Sequence, residues 1–325
     1  MPRAPRAGDW LSLLVLTVLW GSAFLFNELA LSSFPPSMLV AGRIVIATAL
    51  IFGYLRATGG SLPALGLAWL PMLVLAVFGN VVPFHLIAWA QQHIDSSLAG
   101  ILMAVMPLFV MTLAHYFVPG ARLTRYRVTG FVIGFTGVVV VIGPEFLRGL
   151  ANNAALLGAI AALGAALSYS ISSIYARRLG AGDPVKRAAG MLIVASFLSA
   201  PMALVDVSAI AKPGIASVVA LIVLGLLATG FATLLYFRLI QGPGPTFLSF
   251  VNYLVPAWAL IAGAVFLDEP LTPAVFLGLS LILAGIAFSE FGARLMQTLR
   301  AIRLRRQHVM QSSIARNPIP ATKNR

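Results

Sequence analysis

Long apolar stretches alternate with short polar breaks along this chain, and the length of the stretches fixes what they are. Crossing the hydrocarbon core of a bilayer takes ~20 mostly apolar residues in a helix. Stretches of that kind cover 10–31, 37–55, 68–90, 96–117, 127–143, 154–176, 188–206, 214–238, 246–267 and 273–292, so the pattern predicts ten transmembrane helices. The fifth is short, and is expected to tilt little or to thin the bilayer around it. Turn chemistry fills the breaks: Ser33-Phe34-Pro35-Pro36, Gly59-Gly60-Ser61, Gly180 to Pro184, and Gly242-Pro243-Gly244-Pro245. The first stretch follows Arg3 and Arg6 and runs from Trp10 to Leu31. That exceeds the apolar core of a signal peptide, so it is read as a retained helix.

Composition agrees with a membrane-embedded chain. Of the 325 residues 60% are hydrophobic and 10% charged, with a mean hydropathy of +0.96. A soluble domain carries about 25% charged residues, so the lipid bilayer is the main solvent here. The net charge of +13 and pI of 11.2 would fit a nucleic-acid binder. Their distribution gives another reason. With the N-terminus in the cytoplasm, the inner loops collect Arg3, Arg6, Arg56, Arg122, Arg125, Arg127, Arg177, Arg178, Lys186, Arg187, Arg238 and the basic tail, while the outer loops keep Arg148 and Lys212. That is the positive-inside pattern of a multi-pass membrane protein with both termini cytoplasmic, and no nucleic-acid partner is expected. The chain has no cysteine, which excludes disulfides, Cys-ligated zinc, iron–sulfur clusters and thiol catalysis.

The two halves repeat. A shift of 148 residues carries Pro36 onto Pro184, Ala41-Gly42 onto Ala189-Gly190, Leu123-Thr124 onto Leu271-Thr272, Gly130 onto Gly278 and Gly137 onto Gly285. A shift of 149 carries Pro107 onto Pro256 and Phe117 onto Phe266. Five helices per half is an odd number, so the halves insert in opposite senses. The expected architecture is all-α: ten helices as two inverted five-helix repeats, 1–150 and 151–294, then a basic cytoplasmic tail at 295–325. Inverted repeats are common in secondary transporters, whose sites lie near the bilayer midplane between the repeats. Pro107 and Pro256, matched within spans, are candidate hinges.

With these features in hand, the chain resembles the EamA-type permeases of the drug/metabolite transporter superfamily over about residues 10–292. The resemblance rests on Leu19-Trp20-Gly21-Ser22-Ala23-Phe24, Pro36 with Arg43, Pro256, Phe266-Leu267-Asp268-Glu269-Pro270-Leu271-Thr272, and Gly278 with Gly285. It implies a ten-helix bundle that exports or exchanges metabolites such as amino acids across a bacterial inner membrane. Two departures stand out. Glu28 occupies a place where such proteins often carry a basic residue, and the first-half counterpart of Glu269 is Gly120.

Charge inside a bilayer is costly, roughly 2.5–3.5 kcal/mol per residue at a helix centre on insertion scales. Glu28 and Arg43 are therefore read as pairing across the first hairpin, where they line the pathway or fix the hairpin. Helical spacing gathers further polar and aromatic groups: Trp20, Phe24, Asn27 and Glu28; His85, Trp89 and Gln92; Tyr169, Ser172 and Ser173; Thr229, Thr233 and Tyr236; Ser249, Asn252 and Tyr253. The candidate substrate-binding set is Trp20, Phe24, Glu28, Arg43, His85, Trp89, Tyr169, Ser172, Tyr236 and Asn252. Small and hydroxylated residues also serve helix packing in membranes. Aromatic walls with few charges suit a zwitterionic or amphipathic small molecule. Proton coupling through Glu28, His85 or Asp95 and facilitated exchange both stay open. No cofactor or metal is expected: His-Glu-x-x-His is absent, and the four histidines are scattered. A lipid-handling or structural membrane protein is the alternative reading, and a membrane-embedded enzyme a weaker one. The sequence is silent on oligomeric state.

Overall fold

The structure, a computed structural model, describes residues 3–64, 66–121, 123–143, 154–180, 182–206 and 213–292. Arg122, Arg148, Lys212 and the basic tail lie outside the described residues. Among the described residues all regular structure is helical. Ten helices run in order: α1 Ala7–Leu31, α2 Pro36–Ala57, α3 Leu67–Ala90, α4 Ser96–Phe117, α5 Arg125–Ile142, α6 Ala154–Arg178, α7 Pro184–Val205, α8 Ile215–Gln241, α9 Val251–Phe266 and α10 Pro273–Gly292. Nine are long and apolar enough to cross a membrane, and α9 has the shorter 16 residues.

Departures from the expected boundaries have local causes. Helix α7 starts at Pro184, not 188, because Asp183 caps it. The Asp183 carboxylate accepts from Val185 N at 2.9 Å and Lys186 N at 3.2 Å, and proline suits the first helical position, where its missing N–H costs nothing. The span expected at 246–267 is divided into a turn of helix at Pro245–Leu248 and α9 proper. The matched prolines also differ. Helix α4 is interrupted at Ala104–Val105, just before Pro107, whereas α9 runs unbroken through Pro256.

Without a hydrophobic force between helices in lipid, packing has to come from close approach, and glycines supply it. A Cβ on Gly130 would lie 2.5 Å from the Gly285 carbonyl oxygen, and one on Gly137 would lie 2.6 Å from that of Gly278. Helices α5 and α10 thus touch backbone to backbone. The contact is reciprocal, since the 148-residue shift relates Gly130 to Gly278 and Gly137 to Gly285. The same shift relates Thr48 and Ser196, whose hydroxyls meet at 2.9 Å between α2 and α7. Helix α1 lies on α9 through Gly21, whose Cβ position is 2.7 Å from the Trp258 ring, and Trp258 Nε1 donates to Ser22 Oγ at 2.8 Å.

Two helices change pitch inside the bundle. α3 widens into a π-helical turn at Val77–Val81, and α8 does so at Leu224–Phe231. The 148-residue shift places the first at 225–229, inside the second. A π turn displaces side chains from their α-helical faces and is often found at functional sites.

The backbone contact of α5 and α10 gives a direct test. Gly137→Val is expected to lower the melting temperature of the purified protein, overpacking of this kind costing about 1–3 kcal/mol. Gly53→Val should leave it unchanged, because a Cβ at Gly53 meets nothing within 4 Å. Equal melting of the two variants would contradict the contact.

Candidate functional site

The two π turns each free backbone carbonyls, and side chains satisfy them. Ser168 Oγ of α6 donates to Phe78 O at 3.0 Å, and His85 Nδ1 donates to Val81 O at 2.7 Å. In α8, Thr229 Oγ1 donates to Leu224 O at 2.8 Å, and Thr233 Oγ1 to Thr229 O at 2.6 Å. With its proton so engaged, the Thr229 hydroxyl keeps lone pairs free. One of them accepts Arg43 Nε at 2.7 Å.

Arg43, 7% exposed, lies with its guanidinium 4.0 Å from the centre of the Phe84 ring. A ring face attracts a cation through its quadrupole, and more so when water is excluded. Phe84 in turn meets Tyr169 edge-on at 6.4 Å. Helices α2, α3, α6 and α8 thereby converge on one cation. Among the described residues no carboxylate lies within ion-pairing distance of it; the salt bridge found joins Arg3 to Asp9. This corrects the expected Glu28–Arg43 pair.

Glu28 belongs to a second cluster, nearer the end of the bundle where α1 terminates at Leu31. Its centre is Gln91, 3% exposed. Gln91 accepts from Asn27 Nδ2 at 2.9 Å and donates to Phe24 O at 2.8 Å and to Glu28 Oε2 at 3.4 Å. Beside it, Glu269 accepts from Ser96 N at 2.7 Å and Ser97 N at 2.8 Å, so the second half caps the first-half helix α4. A carboxylate there meets both free N–H groups and the positive end of the helix dipole. Asp268, beside it, holds φ at +54°, in the left-handed region that favours glycine and that aspartate enters more readily than most residues.

The remaining candidates spread more widely. Trp20 faces Tyr236 at 5.8 Å between ring centres, toward the Arg3 end. Phe24 is buried against Gly100 and Ala259. Ser172 crowds Gly79 at the α3 π turn, its Oγ 2.7 Å from where a glycine Cβ would stand. Asn252 is half-buried near the start of α9. Trp89 is 38% exposed and lies against the His93 ring at 4.5 Å, away from the Arg43 cluster. His85, Trp89 and Gln92 do share a stripe, but the buried face of α3 is that of Phe84, Ile87, Ala88 and Gln91. Sequence reading missed Gln91 by one position. It also passed over Asn80 in the π turn, which is 3% exposed. The Asn80 side chain has no distinctive sequence signal. Gln91 could have been found from the spacing of four from Ile87 on the apolar face.

Comparison with known proteins completes the description. The profile of the EamA-like transporter family matches twice, at residues 8–143 and 156–291. Among curated proteins, the uncharacterized transporter YoaV of Bacillus subtilis is 24% identical over 86% of this chain and 96% of its own. The uncharacterized inner membrane transporter YedA of Escherichia coli is 26% identical over 86% and 90%. A probable amino-acid metabolite efflux pump of Salmonella typhimurium is 25% identical over 91% and 98%. A solved crystal structure, 22% identical, superposes with a TM-score of 0.64 over 89% of this chain and all of its own, which bears on the fold alone.

The Leu31 end carries a pH signature. Burial first, and the Glu269 carboxylate second, push the Asp95 carboxyl above the usual range. A raised carboxyl favours the proton in the folded state, so folding carries no penalty below the ordinary carboxyl range and a growing one as pH rises through it. Asp95→Asn is expected to raise the melting temperature near pH 7, roughly, with the gain vanishing toward about pH 3. A gain independent of pH would contradict the repulsion.

Proposed function

The chain belongs to the EamA-like transporter family, and from that premise we propose that it is a secondary transporter of small carboxylate-bearing amphipathic metabolites, amino acids and their relatives. It works by alternating access as an exporter or exchanger in a bacterial inner membrane. The observation that carries this reading is Arg43. A buried guanidinium held by a neutral hydroxyl and an aromatic face has no carboxylate among the described residues to compensate its charge. A solute carboxylate supplies the missing charge, and a guanidinium fork suits it bidentately. The ring of Phe84 and the neighbouring Tyr169 give an amphipathic solute an apolar wall. Relatives named as amino-acid metabolite efflux pumps support the same class of solute.

The two halves, 1–150 and 151–294, act in this reading as an inverted pair with the tail 295–325 on the cytoplasmic side. Its support is the reciprocal contact of Gly130 with Gly285 and Gly137 with Gly278, the Thr48–Ser196 contact and the matched π turns. Bonds between the halves gather at the Leu31 end. Ser217 meets Ser32 at 2.8 Å and Ser33 at 2.9 Å, Ser37 donates to Asp206, and Glu269 caps α4. At the opposite end the described backbone bond between halves is Arg3 N to Gly242 O, 3.3 Å. In this reading the Leu31 end, tied by these side-chain bonds, faces the outside, on the distribution of the basic residues.

Counterflow in liposomes tests the proposal. Protein reconstituted in vesicles loaded with unlabelled amino acids is expected to accumulate the labelled amino acid, and protein-free vesicles to accumulate none. Arg43→Gln should weaken this uptake roughly 10- to 100-fold, the loss of a charge-assisted bond, and Arg43→Lys should retain part of it. Uptake by Arg43→Gln equal to the unaltered protein would sink the assignment of Arg43.

A further inference from the structure

A cavity of about 470 Å³ opens at the end of the bundle opposite Leu31, between the turn that joins α4 to α5 and the last turn of α6. His115, Tyr116, Phe117 and Arg178 line it, together with residues 118–121. Among these lining residues there is no carboxylate. Tyr116 is 72% exposed and Phe117 50%. Exposed aromatic side chains at the end of a span mark the depth of the lipid headgroups.

The local chemistry of the lining is that of a donor set. Ala121 N donates to Val118 O at 3.1 Å, with Pro119 and Gly120 (φ +79°) at the corner, the pattern of a type II turn. His115 is fixed against that turn. Leu123 N donates to its Nδ1 at 3.3 Å, and a neutral ring that accepts there carries its proton on Nε2. The His115 Nε2, the Tyr116 hydroxyl and the Arg178 guanidinium make no hydrogen bond to the described residues. Arg177 and Arg178 both complement the negative end of the α6 dipole, but of the two Arg178 alone borders the cavity. A shift of 149 residues relates Gly120 to Glu269, so the turn that carries an acid in the second half carries none here.

We propose that this cavity seats the phosphate of an anionic phospholipid from the adjoining leaflet, with Arg178, His115 and Tyr116 as its donors and the exposed Phe117 ring beside the acyl chains. Phosphate oxygens accept charge-assisted bonds from a guanidinium, and basic pockets between spans on the cytoplasmic side suit such headgroups. A zwitterionic headgroup would bring its own cation into a cavity that has Arg178 and no carboxylate, so an anionic headgroup is preferred. The inference is independent of the solute and of the Arg43 reading.

Native mass spectrometry of the full-length protein in neutral detergent tests it, with phosphatidylglycerol and phosphatidylcholine of equal chain length as probes. Phosphatidylglycerol is expected to bind about tenfold more tightly, the worth of one charge-assisted hydrogen bond. Arg178→Gln should remove most of that preference, and Tyr116→Phe part of it. Arg177→Gln removes the same charge one residue away, outside the cavity, and should leave the preference intact. Equal binding of the two lipids to the unaltered protein overturns the proposal. So does an equal loss in Arg177→Gln and Arg178→Gln, which would mean diffuse attraction to a basic face. Glycerol phosphate, the headgroup without its chains, is expected to displace the lipid only weakly; displacement at the affinity of the lipid itself would make this a soluble-anion site and overturn the lipid assignment.

Discussion

A positive charge buried within a membrane protein is the constraint around which this bundle is arranged. Taking an arginine out of water is tolerated only where other groups replace its hydration. At Arg43 those groups are one threonine hydroxyl and one aromatic face, from α8 and α3. Both are neutral. They hold the guanidinium in place without cancelling its charge, and on that rests the proposal that an anionic solute group binds there. A carboxylate in that position would have made a structural ion pair and left nothing for a solute.

The rest of the fold serves that arrangement. Thr229 reaches Arg43 from a π turn of α8, and its hydroxyl proton is used on Leu224 O, which leaves the oxygen to accept. The π turn of α3 ends three residues before Phe84, tied to α6 through Ser168. Helices α5 and α10 approach each other through glycine and pack in a separate apolar cluster with Leu108. At the Leu31 end, carboxylates and hydroxyls bond the two halves to one another beside a buried apolar cluster that holds Ala30, Leu39 and Ala220.

Much of this was legible in the sequence. Run length alone located all ten helices, because lipid imposes both the length and the apolarity of a span. The 148-residue repeat picked out Gly130, Gly137, Gly278 and Gly285 before their contacts were known. Arg43, His85 and Tyr169 were recognisable as polar or aromatic groups placed where a span has few. Facing was harder to read. In a soluble helix polarity marks the outside, but in a membrane helix either face can hold a polar residue, so the stripe through Trp89 and Gln92 was chosen over the one through Gln91. Nor does sequence announce a π turn, and Asn80 and Thr229 owe their positions to one. The Glu28–Arg43 pair failed for a related reason: proximity along a hairpin says nothing about a competing hydroxyl from a helix nearly two hundred residues away.

The claim that Arg43 awaits a carboxylate is tested most directly by comparing an amino acid that binds with its own amide, equal in size and lacking only the acid. The account predicts that the purified protein binds the acid roughly 10- to 100-fold more tightly, a difference of about 1.5–3 kcal/mol, and that Arg43→Gln erases it. Equal affinity for acid and amide in the unaltered protein would contradict the account, and would return Arg43 to the framework of the bundle.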